Sequence, residues 1–184
     1  MQLQDAIRLR RSTAPITDEA PTDVELHDLL RVAVHAPDHA ALQPWRLVTV
    51  RGEQRDRLGR AMAEGFGEAP GSEDAARTAG KTQRAPLLLG VVVSYQEHRK
   101  VPRHEQLAAT VAMVTTLQLL LFEAGYTAML RSGPPAELPS VIRAMGVGDD
   151  EQLLGWLYIG RTAPGNGPEV EPVDPSDRLT QLPD

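Results

Sequence analysis

Apolar residues recur three and four positions apart along several stretches of the chain. One such series follows Thr22 and consists of Leu26, Leu29, Leu30 and Ala33. Thr22 followed three residues later by Glu25 forms a capping box, so the pattern predicts an amphipathic helix over 23–35. Similar spacing predicts further helices over 2–10, 53–65, 74–84 and 137–145.

Short apolar runs predict strands over 47–50, 86–93, 127–130 and 153–159. The run over 86–93 is apolar at nearly every position, which is typical of a central strand covered on both faces. Strands and helices alternate, but some connections are too short for helical crossovers. The pattern therefore predicts an α+β protein with a mixed sheet.

The segment 105–124 is apolar around most of a helical circumference. A helix of this kind is buried in a core, in a subunit interface or in a membrane. Four polar residues and charged flanks argue against a membrane span; the four are Thr110, Thr115, Thr116 and Gln118. Because one domain has limited room to surround a helix of about 30 Å, we expect a second subunit to cover part of it and predict an obligate homodimer.

The composition narrows the possible functions. A chain of 184 residues with 41% hydrophobic residues fits one globular domain, and its net charge of −6 argues against general nucleic-acid binding. The sequence contains no cysteine, which excludes disulfides and thiolate chemistry. The first residues lack the apolar run of a signal peptide, so we expect a cytoplasmic protein.

The end of the sequence differs in composition from the rest. Five prolines occur after Thr162, with no helical period between them. We predict one domain over 1–162 and a proline-rich extension over 163–184 that packs on the surface or on the partner subunit.

Common nucleotide and metal motifs are absent. No glycine-rich fingerprint of a Rossmann or P-loop site follows a strand, and the sequence from His104 lacks the second histidine of a zinc protease motif. His35 and His39 could bind a metal, but no third ligand is evident. As flat rings with polar edges they could equally contact an aromatic ligand.

Three segments carry candidate chemistry. Arg10, Arg11 and Ser12 suit a phosphate monoester, although they could also be a solvated basic helix end. The segment Arg131, Ser132 and Gly133 repeats this chemistry after a strand, or is simply a turn with a surface arginine. The proline-bounded loop 36–45 carries Asp38, His39 and Trp45 and is either a rigid site loop or an ordinary connection with a buried tryptophan.

The sequence resembles the FMN-dependent nitroreductase family from about residue 5 to residue 160. The resemblance depends on four motifs in chain order, namely Arg10–Ser12, the loop 36–45, Lys100–Arg103 with Glu105-Gln106, and Arg131–Gly133. The resemblance implies a three-layer fold, with a mixed, largely antiparallel sheet flanked by helices, in an intertwined homodimer. It also implies non-covalent FMN at the dimer interface. The residues implied to hold FMN are Arg10, Arg11, Ser12, Arg131, Ser132 and Gly133, with His35 and His39 contributed by the other subunit.

The implied activity is ping-pong hydride transfer from NADH or NADPH to nitroaromatics, quinones or similar electron-poor acceptors, with no obligatory catalytic side chain. A flavin-binding module with little turnover is the alternative, as is a flavin enzyme for another electron-poor substrate or a phosphate-binding interaction protein. Where relatives carry arginine, lysine and tryptophan, this chain has His35, Ala40 and Leu130. No basic pocket that would select NADPH over NADH can be identified from the sequence.

Overall fold

A computed structural model describes residues 2–13, 16–17, 19–161 and 173–182. It contains six α-helices and four β-strands within these residues. The helices are α1 (Leu3–Leu9), α2 (Asp23–Ala33), α3 (Glu53–Gly65), α4 (Glu73–Ala79), α5 (Arg103–Glu123) and α6 (Pro139–Met145). The strands are β1 (Trp45–Arg51), β2 (Leu87–Ser94), β3 (Thr127–Arg131) and β4 (Glu151–Gly160).

The strands form one sheet in the order β1-β2-β4-β3, and every pairing among the described residues is antiparallel. The α+β prediction is confirmed, but the expected parallel pairing is not found in this part of the chain. The reason lies in the connection between β1 and β2. This connection contains α3 and α4 and returns the chain to the end of the sheet at which β1 finishes. Arg51 at the end of β1 therefore pairs with Leu87 at the start of β2.

The sheet is the middle of three layers. Alternate residues of β2 contribute to two separate apolar clusters: Leu87 and Leu89 pack with α2 and α5, whereas Leu88 and Val92 pack with α3 and α6. All four are fully buried, which confirms β2 as a central strand covered on both faces.

Side-chain hydrogen bonds from nearby residues account for the start of α2 and the end of α4. The Thr22 hydroxyl accepts from the backbone N–H of Glu25 at 3.2 Å, and the Glu25 carboxylate accepts from the Thr22 N–H at 2.8 Å, which completes the predicted capping box. The helix predicted over 74–84 ends earlier, at Ala79, and continues as a 3-10 turn. The Thr82 hydroxyl donates to the Ala79 carbonyl at 2.8 Å and so takes over a helical acceptor.

The helix α5 is long and apolar enough to cross a membrane by length and composition alone. In the fold, however, one side of it packs into the core through Met113, Leu117 and Leu121. The opposite side remains partly open, with Val111 47% exposed. The helix therefore has a second apolar face that the single protomer does not cover.

The predicted proline-rich extension lies mostly outside the described residues. Its described part, 173–182, contains only a short 3-10 turn at Ser176–Arg178. Val173, Leu179 and Leu182 are each at least 85% exposed, so this part does not pack on its own protomer. Its packing on a partner subunit stays a prediction.

Candidate functional site

The arginine segment at the end of α1 is attached to the edge strand β3. The Thr13 and Thr127 hydroxyls are 3.1 Å apart and share a hydrogen bond. Arg10 and Arg11 are half-buried, Ser12 is exposed, and the Arg11 guanidinium donates to the Arg10 carbonyl at 2.7 Å. Neither arginine forms an ion pair with a residue that the structure describes, so their charges are available to an anionic ligand.

The second predicted segment lies at the other end of β3. Arg131 is the last residue of the strand, and its guanidinium lies over the Tyr158 ring, 5.4 Å from the ring centre. Burial raises the pKa of Tyr158, and the nearby Arg131 charge opposes that rise. Arg131 is four residue steps along the strand from Thr127, or about 13 Å. The two segments therefore lie along one strand rather than at one point.

Two glycines shape the backbone around Arg131. Gly155 in β4 has a φ of +135°, and a Cβ there would lie 2.2 Å from the Arg131 carbonyl oxygen. Only glycine lets the chain pass this close. Gly133 has a φ of +109°, and a Cβ added there would meet nothing within 4 Å, so its open side could face a ligand. Gly155 was not identified from the sequence, because a glycine in a strand does not reveal what crosses it.

The histidine loop is strained and firmly held. Ala40, Ala41 and Gln43 all have positive φ and are the only non-glycine residues among those described to do so. The Asp38 carboxylate accepts from the Gln43 N–H at 2.6 Å. Backbone strain of this kind persists only where surrounding contacts enforce it, and it clusters at functional sites.

The C-terminal end of this loop is bonded to β2 and α5 and leads into the core. The Pro44 carbonyl accepts from the Ser94 N–H at 2.9 Å and from the Thr110 hydroxyl at 3.2 Å. Trp45 begins β1 and packs, partly buried, against the core. The tryptophan thus serves the core, while the preceding residues form an exposed, rigid turn.

His39 lies near the start of α5 and His35 lies just beyond the end of α2; both are exposed. The Nδ1 of His39 is 2.7 Å from a carboxylate oxygen of Glu105, in the first turn of α5. The structure holds no group of three or more potential metal ligands in the part of the chain that it describes. The Glu105 contact, which the sequence analysis did not anticipate, fixes one edge of the His39 ring.

The arginine and histidine segments are far apart within one protomer. Gln118 of α5 donates to the Ala128 carbonyl at 2.9 Å, beside the Thr13–Thr127 contact. Glu105, which holds His39, is thirteen residues earlier on the same helix, or about 20 Å along its axis. One protomer therefore does not bring all the predicted site residues together.

A further basic region lines a cavity of about 400 Å³ beside His39. Its walls are His39, Ala40, His98, Arg99 and Lys100. Lys100 was identified from the sequence only as part of a longer motif, and His98 and Arg99 were not identified as site residues. The consecutive basic residues after β2 were the signal that could have found them.

A half-buried ion pair joins β1 to β4 at the end of β2 that leads into this basic region. The Arg46 guanidinium donates to both carboxylate oxygens of Glu151, at 2.7 and 2.6 Å. These bonds, with further ones from the Ser94 hydroxyl and the Gly148 N–H, lower the pKa of Glu151 from 4.5 to about 2, against the opposing effect of burial. The bonds to Glu151 also raise the pKa of Arg46.

Comparison with known proteins agrees with this architecture. Residues 7–161 match the model of the nitroreductase family. The chain is 33% identical over 181 residues to YdjA of Escherichia coli strain K12, an NAD(P)H nitroreductase by name, covering 96% of this chain and 98% of that protein. It is similar in structure to a nitroreductase-like family protein from Bacillus cereus, with a TM-score of 0.83 and 26% identity, covering 99% and 96% of the two chains.

A more distant structural neighbour is the FMN-dependent nitroreductase NfnB from Mycobacterium smegmatis, solved in complex with NADPH. Its TM-score is 0.74 at 16% identity, with 98% of this chain and 97% of that one covered, which is evidence for a common fold. The full-length match to YdjA and the match to the family model show the family as well as the fold. The chain belongs to the nitroreductase family.

Proposed function

We propose that this protein is a cytoplasmic, homodimeric FMN-dependent oxidoreductase that uses NADH or NADPH to reduce nitroaromatics, quinones or similar electron-poor acceptors. The observation that carries the proposal is that guanidinium groups without ion-pair partners lie on both segments that flank β3. Arg10, Arg11 and Arg131 form no ion pair among the described residues, in a chain whose net charge is −6. Such groups suit a phosphate and the electron-rich edge of a reduced flavin.

The residues present fit FMN. Ser12 and Ser132 offer exposed hydroxyls, and the open side of Gly133 leaves room for a ligand to approach the backbone. The separation of about 13 Å along β3 suits an elongated ligand held at two points. Arg10, Arg11 and Ser12 would hold the phosphate, while Arg131, Ser132 and Gly133 would hold a more distant part of the cofactor.

The second subunit completes this site. His39 lies about 20 Å along α5 from the level of the arginine segment of its own protomer. The histidines that complete the site are therefore assigned to the partner subunit. The uncovered apolar side of α5, which includes Val111, provides a surface through which two protomers could associate.

Bound FMN would supply the ability to accept hydride from NAD(P)H and to pass electrons to the acceptor. The tasks of this chain are to hold the cofactor, to position the second substrate and to leave one ring face accessible. The rigid loop 38–44 suits the second task, because its strained backbone is fixed by bonds to β2 and α5.

Cofactor content tests the proposal directly. We expect the purified protein to be yellow, to release FMN rather than FAD, and to oxidise NAD(P)H when a quinone or nitroaromatic is present. The double variant Arg10→Ala/Arg131→Ala should lose the flavin while retaining its circular dichroism spectrum. The control Arg57→Ala/Arg60→Ala removes two exposed charges from α3 and should stay yellow.

A protein that stays colourless after incubation with FMN would refute the proposal. Stoichiometric flavin in the Arg10→Ala/Arg131→Ala variant would refute the assignment of these residues. Flavin binding without turnover would favour the alternative of a flavin-binding module.

A further inference from the structure

The cavity beside His39 is lined almost entirely by side chains that donate hydrogen bonds. It has a volume of about 400 Å³, and apart from Ala40 its walls are two histidines, Arg99 and Lys100. In this chain the short side chain of Ala40 leaves the space to a ligand.

The loop that carries these residues is built around a buried amide. Gln106 is 1% exposed, and its side chain accepts from the Gln96 N–H at 2.9 Å. The same side chain donates to the carbonyls of Gln96 and Val101, at 2.8 and 3.1 Å. One buried residue thus joins the two ends of the loop 96–101, which holds the basic side chains in place before any ligand binds.

His98 fixes the interior of the same loop. Its Nδ1 accepts from the backbone N–H groups of Lys100 and Val101, at 3.3 and 3.1 Å. A ring nitrogen that accepts hydrogen bonds carries no proton, so the proton of the neutral ring is on Nε2. With Nδ1 accepting from the backbone, His98 offers its Nε2–H as a hydrogen-bond donor.

The charges of this loop are not neutralised by the fold. The side chains of Arg99 and Lys100 form neither a hydrogen bond nor an ion pair with any described residue, and both are exposed. Of the nearby acids, Glu105 is bonded to His39, and Glu97 belongs to the loop itself but is exposed and does not line the cavity. The cavity therefore presents two uncompensated cations and a neutral donor to one space.

We infer that this cavity binds a phosphate or carboxylate group of one of the two substrates, and that it discriminates in favour of substrates carrying that group. This inference rests on the proposed function, because His39 is both a wall of the cavity and a proposed flavin contact. The anionic group could be the 2′-phosphate of NADPH or a carboxylate on the acceptor. Both would receive charge-assisted hydrogen bonds from Arg99 and Lys100.

The first possibility is that the cavity binds the 2′-phosphate of NADPH. We would test it by measuring the binding of adenosine 2′,5′-bisphosphate to the full-length protein by calorimetry. Adenosine 5′-monophosphate is the comparison, because it lacks only the 2′-phosphate. The variant Arg99→Ala/Lys100→Ala should bind the bisphosphate at least about tenfold more weakly and bind the monophosphate with unchanged affinity. The control Arg57→Ala/Arg60→Ala also loses two charges, but from the opposite helical layer, and should bind both ligands as the parent does.

The second possibility is that the cavity binds a carboxylate on the acceptor. It is tested by KM values for 4-nitrobenzoate and nitrobenzene with the same variants. If the cavity takes the acceptor, Arg99→Ala/Lys100→Ala should raise KM for 4-nitrobenzoate by at least about tenfold and leave that for nitrobenzene unchanged. Either selective loss supports the inference. If neither ligand pair shows such a loss, or if the α3 control causes the same loss, the inference is wrong.

The titration requires no turnover, so its result is separate from the proposed function. A colourless protein that still prefers the bisphosphate would refute only the redox assignment. A yellow, active protein that distinguishes neither phosphates nor carboxylates would refute only the anion site.

Discussion

The Arg46 guanidinium and the Glu151 carboxylate join the first residues of β1 and β4 across β2 through two short hydrogen bonds. Glu151 has a pKa of about 2 in the fold against 4.5 as its ordinary value. Since the folded-state pKa is the lower one, the stabilisation is complete above pH 4.5 and is lost as the pH falls towards 2.

We expect Glu151→Gln to lower the free energy of unfolding at pH 7 by on the order of 2 kcal/mol, because solvent partly screens this half-buried pair. The difference from the parent should shrink between pH 4.5 and 2, as measured by urea denaturation at several pH values. Glu73→Gln, at an exposed site on α4, is the control and should change the free energy of unfolding by less than about 0.5 kcal/mol. A difference for Glu151→Gln that stays constant down to pH 2 would contradict the assigned ion pair.

Gly155 should be among the most sensitive positions of the sheet. Gly155→Ala combines a positive φ with a collision against the Arg131 carbonyl, and we expect it to destabilise the protein by about 3 kcal/mol or more. Gly133→Ala adds a side chain in open space and should cost only the strain of its backbone conformation, about 1–3 kcal/mol. Thermal or chemical denaturation measures both, and equal losses would argue against the close crossing.

The dimer prediction can be tested on the uncovered side of α5. Val111→Asp places a charge on that side, where Val111 is 47% exposed in the protomer, and should shift the protein towards monomer in sedimentation experiments. Val24→Asp is the control, because Val24 is 72% exposed on α2. If Val111→Asp leaves the association state unchanged, this face is not the interface.

His35 is one of the residues proposed to contact the flavin from the partner subunit. A permanent cation near the flavin should stabilise its reduced anion, so we expect His35→Arg to raise the reduction potential of the bound cofactor. A redox titration of parent and variant measures the shift. Lys81→Arg on the far helical layer should leave the potential unchanged, and a potential for His35→Arg at or below that of the parent would refute this electrostatic assignment.

The sequence by itself determined the local elements and the family. Capping at Thr22, the continuous apolar run of β2 and the all-round apolar pattern of α5 depend on neighbours in the chain, so periodicity was enough to predict them. The largely antiparallel sheet was expected from the family resemblance, but the parallel pairing of a mixed sheet was expected as well and is not found among the described residues, because strand direction depends on how the intervening helices return.

Only the tertiary structure decided how the candidate residues are distributed. Sequence patterns identified Arg10, His39 and Arg131, but the separation of Arg10 from His39 depends on the contacts that both segments make with the length of α5. The role of Gly155 and the basic cavity beside Ala40 depend likewise on contacts between distant segments. Such contacts leave no periodic trace in the sequence, because they are set by packing across the sheet rather than along the chain.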